Sequence, residues 1–168
     1  YDKTRPLREI IRQVLRLYSP DALDWRADWV ATLFTMLDNQ LRVARRVEVV
    51  KALSALPIHV YGHGWDQVAD PARPARFHAP RSFRETQALM ARSAVVLNVL
   101  PCVVAAPHDR MFYSTMAGAA CLTDGNRWVQ RHYRAGEEIA VYDIPPRDLA
   151  DGVRDFLADR DRLQAMAE

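Results

Sequence analysis

From residue 57 onward, short apolar runs alternate with segments of helical periodicity, and this alternation restricts the fold more than any other feature. The runs typical of strands are "IHVYG", "ARFHA", "AVVLNVL", "AACLTD" and "EIAVYD". Strands that alternate with helices indicate a parallel sheet with right-handed crossovers. We therefore predict an α/β fold in which one parallel sheet contains Ile58–Tyr61, Ala94–Leu100, Ala119–Thr123 and Ile139–Tyr142.

The first third of the chain is predicted to be helical. "TRPLREIIRQVLRLY" carries an apolar stripe at helical spacing, with Thr4 as the candidate cap. A second, longer helix is expected from a cap at Asp24 to about Ala55, with a break allowed near Asp38 and Asn39. Its arginines from Arg42 to Arg46 fit a solvated face, and a phosphate-binding role for them stays open. The predicted organisation is a helical segment over 1–56 and an α/β domain over 57–168.

Composition excludes several classes of partner. The 168 residues carry a formal net charge of only +2 and no basic block, which argues against nucleic acid or an anionic membrane surface. The longest apolar run, Ala94 to Leu100, is too short to span a bilayer. The chain starts at Tyr1 and stops within a helical pattern, so we expect a piece of a longer protein.

The two cysteines indicate whether the protein occupies a reducing or an oxidising cellular compartment. Cys102 and Cys121 show no metal or redox spacing and lie in or beside apolar runs. We predict buried free thiols in a reducing compartment, hence a cytoplasmic protein, with a disulfide as the alternative.

Ligands of open parallel sheets bind beyond the carboxyl ends of the strands. Three loops occupy that position here: Gly62 to Trp65, Pro101 to Arg110, and Thr123 to Arg127. The glycines at 62 and 64 lack the third glycine of a dinucleotide fingerprint, so the stretch also fits a plain turn. Trp65 could either stack on a ligand or pack internally.

The segment "HDRMFYSTMAGAACLTD", His108 to Asp124, carries the strongest chemical signal. It predicts a helix that starts at Asp109 or Arg110 and ends at Gly118. A cation is unfavourable in the first turn of a helix unless an anion lies nearby. Free amides at the start of a helix form a site for phosphate, and we consider such a site here. Asp109 would cap the helix, and Arg110 and His108 would be ligand groups. The alternative is that Arg110 pairs with an acid and nothing binds.

Other chemistries lack support. The five histidines are dispersed without metal-ligand spacing, so no protein-held metal is expected. No nucleophile elbow or Ser–His–Asp order is present, which leaves hydrolase chemistry unsupported.

The order "VYGHGW", "ARSAVVLNVL", "HDRMFYSTMAGAACLTD" and "YRAGEEIAVYD" resembles the C-terminal half of GT-B glycosyltransferases, in the CgeB-like branch of the group-one enzymes. The resemblance covers roughly Leu37 to Glu168. It implies a Rossmann-like domain that binds a nucleotide-sugar donor, while the acceptor binds largely to an N-terminal domain absent from this chain.

The resemblance also implies roles for particular residues. Arg110 would be the catalytic residue. Both Arg110 and the helix that begins there would face the donor diphosphate. The remaining donor-binding positions that it implies are Gly62, Gly64, Trp65, His108, Asp109, Tyr113, Thr123, Asp124 and Gly125. Many relatives carry a ribose-binding glutamate where this chain has Tyr113, and a tyrosine hydroxyl cannot supply the paired acceptors of a carboxylate.

These observations predict the donor-binding half of a glycosyltransferase that needs no cofactor and does not transfer sugar as an isolated fragment. The alternative is a degenerate, non-catalytic module for protein interaction, marked by Tyr113 and working through its N-terminal helices. A plain nucleotide-binding regulatory domain is a third hypothesis.

Overall fold

The structure is a computed structural model that describes residues 5–18, 28–100 and 105–167. The helices are α1 Leu7–Tyr18, α2 Asp28–Leu53, α3 Phe83–Met90, α4 Asp109–Met116, α5 Arg127–His132, α6 Leu149–Ala158 and α7 Arg160–Ala167. The strands are β1 His59–Tyr61, β2 Arg76–His78, β3 Val95–Asn98, β4 Ala120–Asp124 and β5 Ala140–Tyr142. The α/β class is confirmed. The expected caps at Thr4 and Asp24 lie outside the described residues.

Every strand pair is parallel, but the expectation of one continuous sheet is wrong. Among the described residues, β3, β4 and β5 form a three-stranded sheet in that order, while β1 pairs only with β2. β1 carries the polar His59 at an exposed position, which suits a small solvated sheet, whereas β4 is buried at every residue, as a central strand requires. The imidazole Nδ1 of His59 lies 2.9 Å from Nε2 of His78, a polar pair that suits a solvated sheet surface.

The hydrophobic core lies on both faces of β4. On one face Leu122 packs with Val49 and Leu53 of α2 and with Phe156 of α6. On the other face, Cys121 belongs to a second buried cluster that joins the sheet to α4 and α5. Its members are Leu100, Met111, Cys121, Val129 and Ile139.

The prediction of a buried free thiol is confirmed for one of the two cysteines. Cys121 is free and 1% exposed, and burial raises the pKa of its thiol. Cys102 lies outside the described residues.

Helix α2 runs without interruption over 26 residues, so the break allowed near Asp38 and Asn39 is wrong. The helix contains neither proline nor glycine, and Asp38 accepts a hydrogen bond from Nε of Arg42, one turn later, at 2.6 Å. Such a pair at i and i+4 supports the helix across the position where a break was expected.

Cap residues set the start of α3 and the end of α4. Ser82 and Glu85 form a complete capping box at the start of α3. Gly118 follows the end of α4 with a φ of 76°, a left-handed conformation that favours glycine.

Aromatic contacts connect α4 to α5. The ring of Phe112 meets Trp128 edge-on, with centroids 5.9 Å apart, and Trp128 stacks on His132 at 4.3 Å.

None of the described helices is both long and apolar enough to cross a membrane.

Candidate functional site

The amino end of α4 forms differently from the predicted cap. His108, with an extended backbone, is the N-cap, and its Nδ1 lies 3.2 Å from the amide nitrogen of Arg110. Asp109 is therefore the first helical residue rather than the cap, and the expectation that it caps the helix is wrong. Its carboxylate lies 2.8 Å from the same imidazole nitrogen. Asp109 thus interacts with the cap and with the positive end of the helix.

Arg110 reaches from α4 to the carboxyl end of β3. Its Nη1 donates to Oδ1 of Asn98 at 3.3 Å, and Nδ2 of Asn98 donates to Oγ1 of Thr123 at 3.0 Å. Within the described part of the chain the structure gives Arg110 no ion pair, contrary to the alternative in which it pairs with an acid. Burial is the main cause that lowers the pKa of Arg110, and the positive charge of Arg46 lowers it further.

Beneath Arg110 lies a fully buried polar layer. Thr123 and Asp124 are 0% and 1% exposed, and a carboxylate oxygen of Asp124 accepts the amide of Leu100 at 2.5 Å. The hydroxyl of Tyr142 donates to the backbone carbonyl of Asn98 at 3.2 Å. Burial, followed by the nearby Asp124, raises the pKa of Tyr142, which keeps this hydroxyl protonated as a donor. The layer fixes the strand ends and holds Asn98 in place for Arg110.

Gly125 continues from this layer into the loop after β4. A Cβ added there would lie 3.1 Å from Cγ1 of Val141, so the loop passes close to β5. Asn126 then caps α5 by accepting the amide of Val129 at 2.9 Å.

Tyr113 lies on α4 one turn after Arg110. Its ring meets Phe83 of α3 edge-on, with centroids 5.3 Å apart, and Phe83 is 65% exposed. The position where the resemblance implies a carboxylate is therefore half of an aromatic pair at the surface.

The turn from Gly62 to Trp65 belongs to the smaller sheet. Gly62 and Gly64 both have positive φ, at 142° and 76°. The indole of Trp65 lies over Gly62 and is tilted against Phe77 at 6.3 Å, so Trp65 packs against its own sheet. Among the described residues, no hydrogen bond or ring contact connects this turn to Arg110.

Asn98 and Tyr142 were missed by the sequence analysis. The available signal was the asparagine that interrupts the apolar run "AVVLNVL", because a polar side chain on a doubly buried strand needs a partner. In the described ranges, no group of three or more His, Cys, Asp or Glu side chains could hold a metal ion.

A comparison with known families decides what kind of domain this is. A glycosyl transferase-like family matches residues 42–168, which is more than half of the chain. The chain belongs to this glycosyl transferase-like family. No curated protein and no solved structure matches it.

All the candidate site residues of this glycosyl transferase-like domain lie inside the matched range. The match begins at Arg42, so it includes the second half of α2 and leaves α1 outside. Chemically, the site offers a half-buried guanidinium at the positive end of a helix. A guanidinium at the positive end of a helix is suited to binding an anion and neutralising negative charge.

Proposed function

We propose that this glycosyl transferase-like domain binds the nucleotide-sugar donor of a GT-B, CgeB-like glycosyltransferase, with the donor diphosphate at Arg110. One observation carries the proposal. Arg110 is partly buried at the amino end of α4, is held by Asn98, and has no ion pair within the described residues. A desolvated cation in that position is stabilised by an anionic ligand.

The same geometry suggests how the domain contributes to sugar transfer. As the bond to the sugar breaks, negative charge develops on the departing diphosphate. Arg110 and the positive end of α4 stabilise that charge, and the fixed strand ends position the donor. The acceptor and its general base belong, by the GT-B resemblance, to a separate domain.

The other candidate residues receive supporting roles in this proposal. Thr123 and Asp124 are buried, so they act by fixing the loop after β4 rather than by contacting the donor. Gly62, Gly64 and Trp65 border the donor only if the smaller sheet faces the same cleft. Tyr113 offers one hydroxyl toward the ribose.

Calorimetric titration of the chain with a panel of nucleoside diphosphates tests the proposal. Arg110→Ala should weaken binding about 10- to 150-fold, because a charge-assisted hydrogen bond contributes roughly 1.5–3 kcal/mol. Arg160→Ala is the matched control, since Arg160 also lies in the first turn of an eight-residue helix but is exposed. It should leave the affinity unchanged.

Two results would contradict the donor site. One is a parent protein that is folded yet binds no nucleoside diphosphate of the panel. The other is an Arg110→Ala variant that loses stability while its affinity stays the same, which would make Arg110 a structural residue.

A second candidate function is a non-catalytic module for protein interaction. Trp29, Met36 and Val43 recur every seven residues along α2 and are 52%, 62% and 53% exposed. An apolar stripe of this kind favours contact with another protein. This function becomes the better supported one if no nucleoside diphosphate of the panel binds.

A further inference from the structure

The side chain that holds Arg110 is neutral. Nη1 of Arg110 donates to Oδ1 of Asn98 at 3.3 Å, and Asn98 lies at the carboxyl end of β3 with 0% of its surface exposed. A guanidinium removed from water is usually paired with a carboxylate, which neutralises its charge. The amide of Asn98 instead holds the guanidinium in place and leaves its charge uncompensated.

The amide of Asn98 has a single orientation that satisfies its neighbours. A guanidinium has donors and no acceptor, so Asn98 turns its oxygen toward Arg110 and its NH₂ group toward Thr123. The amide nitrogen donates to Oγ1 of Thr123 at 3.0 Å, and that hydroxyl donates to the backbone carbonyl of Asp124 at 3.3 Å. The hydrogen bonds therefore run in one direction, from Arg110 into the sheet.

The backbone of Asn98 is fixed by both neighbouring parts of the sheet. β3 pairs with β4 in a parallel register that sets Asn98 opposite Thr123. The hydroxyl of Tyr142 in β5 donates to the carbonyl of Asn98 at 3.2 Å. A binding group is positioned well when the residue behind it is itself locked by packing and hydrogen bonds. Asn98 meets this condition for Arg110.

The acidic side chains around Arg110 have other partners. The carboxylate of Asp109 lies 2.8 Å from Nδ1 of His108 and is largely exposed. A carboxylate oxygen of Asp124 accepts the amide of Leu100 at 2.5 Å. Within the ranges that the structure describes, Arg110 itself forms no ion pair. Its positive charge is thus left for a ligand.

We propose that Asn98 is the positioning residue of the anion site, because its neutral amide holds Arg110 at the amino end of α4 without neutralising it. This inference rests on the proposed donor-binding function. Asn98 is fully buried and acts through Arg110 rather than on the ligand. A carboxylate at the same position would bind Arg110 more strongly and would compete with the diphosphate for it. An amide in place of an acid therefore keeps the site able to bind anions.

Asn98→Asp tests this assignment, because it keeps the size of the side chain and adds the competing charge. The second carboxylate oxygen can accept the hydroxyl of Thr123, so the buried hydrogen bonds form again. In calorimetric titrations at neutral pH, binding of inorganic pyrophosphate and of a nucleoside diphosphate should weaken about 10- to 100-fold. Asn39→Asp is the matched control, since it makes the same replacement at an exposed position of α2. It should change either affinity less than about 2-fold.

A double-mutant cycle on the unliganded protein separates a positioning role from a purely structural one. In the parent, the new carboxylate pairs with Arg110. In Arg110→Ala, the same replacement leaves a buried carboxyl group without that partner. Asn98→Asp should therefore lower the urea midpoint of unfolding more in Arg110→Ala than in the parent. Equal losses in both backgrounds would show that residue 98 does not act through Arg110, and would overturn the inference.

Thr123→Val and Thr123→Ser decide the question without added charge if Asn98→Asp does not fold. Thr123→Val removes the hydroxyl that receives the NH₂ group of Asn98, and it should weaken pyrophosphate binding about 2- to 5-fold. Thr123→Ser keeps that hydroxyl and should bind pyrophosphate as the parent does. Equal affinities of Thr123→Val and the parent would then contradict a role for the amide in positioning Arg110.

The titrations also distinguish this inference from the donor function. Pyrophosphate binding that weakens in both Arg110→Ala and Asn98→Asp, without a preference for a nucleoside diphosphate, would support Asn98 and overturn the nucleotide donor. Nucleoside diphosphate binding that weakens in Arg110→Ala but not in Asn98→Asp would overturn the role of Asn98 alone. A folded parent protein that binds neither compound would overturn both.

Discussion

At the scale of single residues, two glycines show how backbone conformation decides the effect of an added side chain. A Cβ built at Gly118 or Gly152 meets no atom within 4 Å, so neither position is crowded. Gly118 has a φ of 76°, whereas Gly152 lies inside helix α6. The left-handed conformation penalises a branched side chain, and a helical conformation penalises glycine itself.

We therefore expect opposite changes in the free energy of unfolding. Gly118→Val should destabilise the domain by about 1–2 kcal/mol, whereas Gly152→Ala should stabilise it by about 0.5–1 kcal/mol. Urea unfolding of both variants, followed by circular dichroism, measures the two effects. Equal stability of Gly118→Val and the parent would show that the turn after α4 adapts to a side chain.

The candidate site was only partly predictable from single residues. The sequence predicted a helix that starts at Asp109 or Arg110, with a cation in its first turn, and that ends at Gly118, where a left-handed conformation favours glycine. It could not place Asn98 beneath Arg110, because that contact joins residues of two different elements. The cap was assigned to Asp109 because aspartate is a common cap, but the extended residue is His108.

At the scale of secondary-structure elements, the capping box at the start of α3 makes a pH-dependent contribution to stability. The hydroxyl of Ser82 lies 3.3 Å from the amide of Glu85, and the carboxylate of Glu85 accepts the amide of Ser82 at 2.8 Å. Hydrogen bonds from Ser82 lower the pKa of Glu85. A lowered carboxylate pKa means that its stabilisation is present above the pKa of the unfolded chain and is lost as the pH falls through the folded value.

Ser82→Ala should lower the free energy of unfolding by about 1 kcal/mol at neutral pH, as for other N-cap replacements. The penalty should shrink in acid, where Glu85 is protonated in both proteins. Urea unfolding at neutral pH and at several acidic pH values measures the difference. Ser93→Ala removes a hydroxyl that donates to the carbonyl of Leu89, near the other end of α3, and its effect should not vary with pH in this way. A Ser82→Ala penalty that stays constant in acid would contradict the contribution of Glu85.

The elements themselves were largely predictable, because apolar runs and helical periodicity are local properties of the sequence. Their pairing was not. We predicted β1 and β3 as strands of one sheet, yet within the described residues β1 pairs only with β2, and β3 pairs with β4. Which strands share hydrogen bonds depends on how helices and loops cover each edge, and a single strand sequence carries no record of that coverage.

At the scale of the whole molecule, the division into two sheets predicts two levels of protection of backbone amides against hydrogen exchange. β4 is paired on both sides and buried throughout, whereas β1 is three residues long and only partly buried. Backbone amides of Cys121 and Thr123 should therefore exchange with solvent at least about tenfold more slowly than those of His59 and Tyr61, because local opening releases the smaller sheet first.

Hydrogen exchange followed by NMR provides the measurement. Exchange in β4 should require global unfolding and depend strongly on added denaturant, while exchange in β1 should depend on it weakly. Equal protection of the two sheets would show that they unfold as one cooperative unit.

The aromatic bridge between α4 and α5 gives the domain a built-in optical signal. Trp128 contacts Phe112, which lies two residues after Arg110 on the same helix. The chain has four tryptophans, so replacing Trp25, Trp29 and Trp65 by phenylalanine would leave one emitter. Any displacement of α4 when an anion binds at its amino end would alter the surroundings of the Trp128 indole. The intensity and emission wavelength of Trp128 fluorescence would then report occupancy of the site in real time, without a label on protein or ligand.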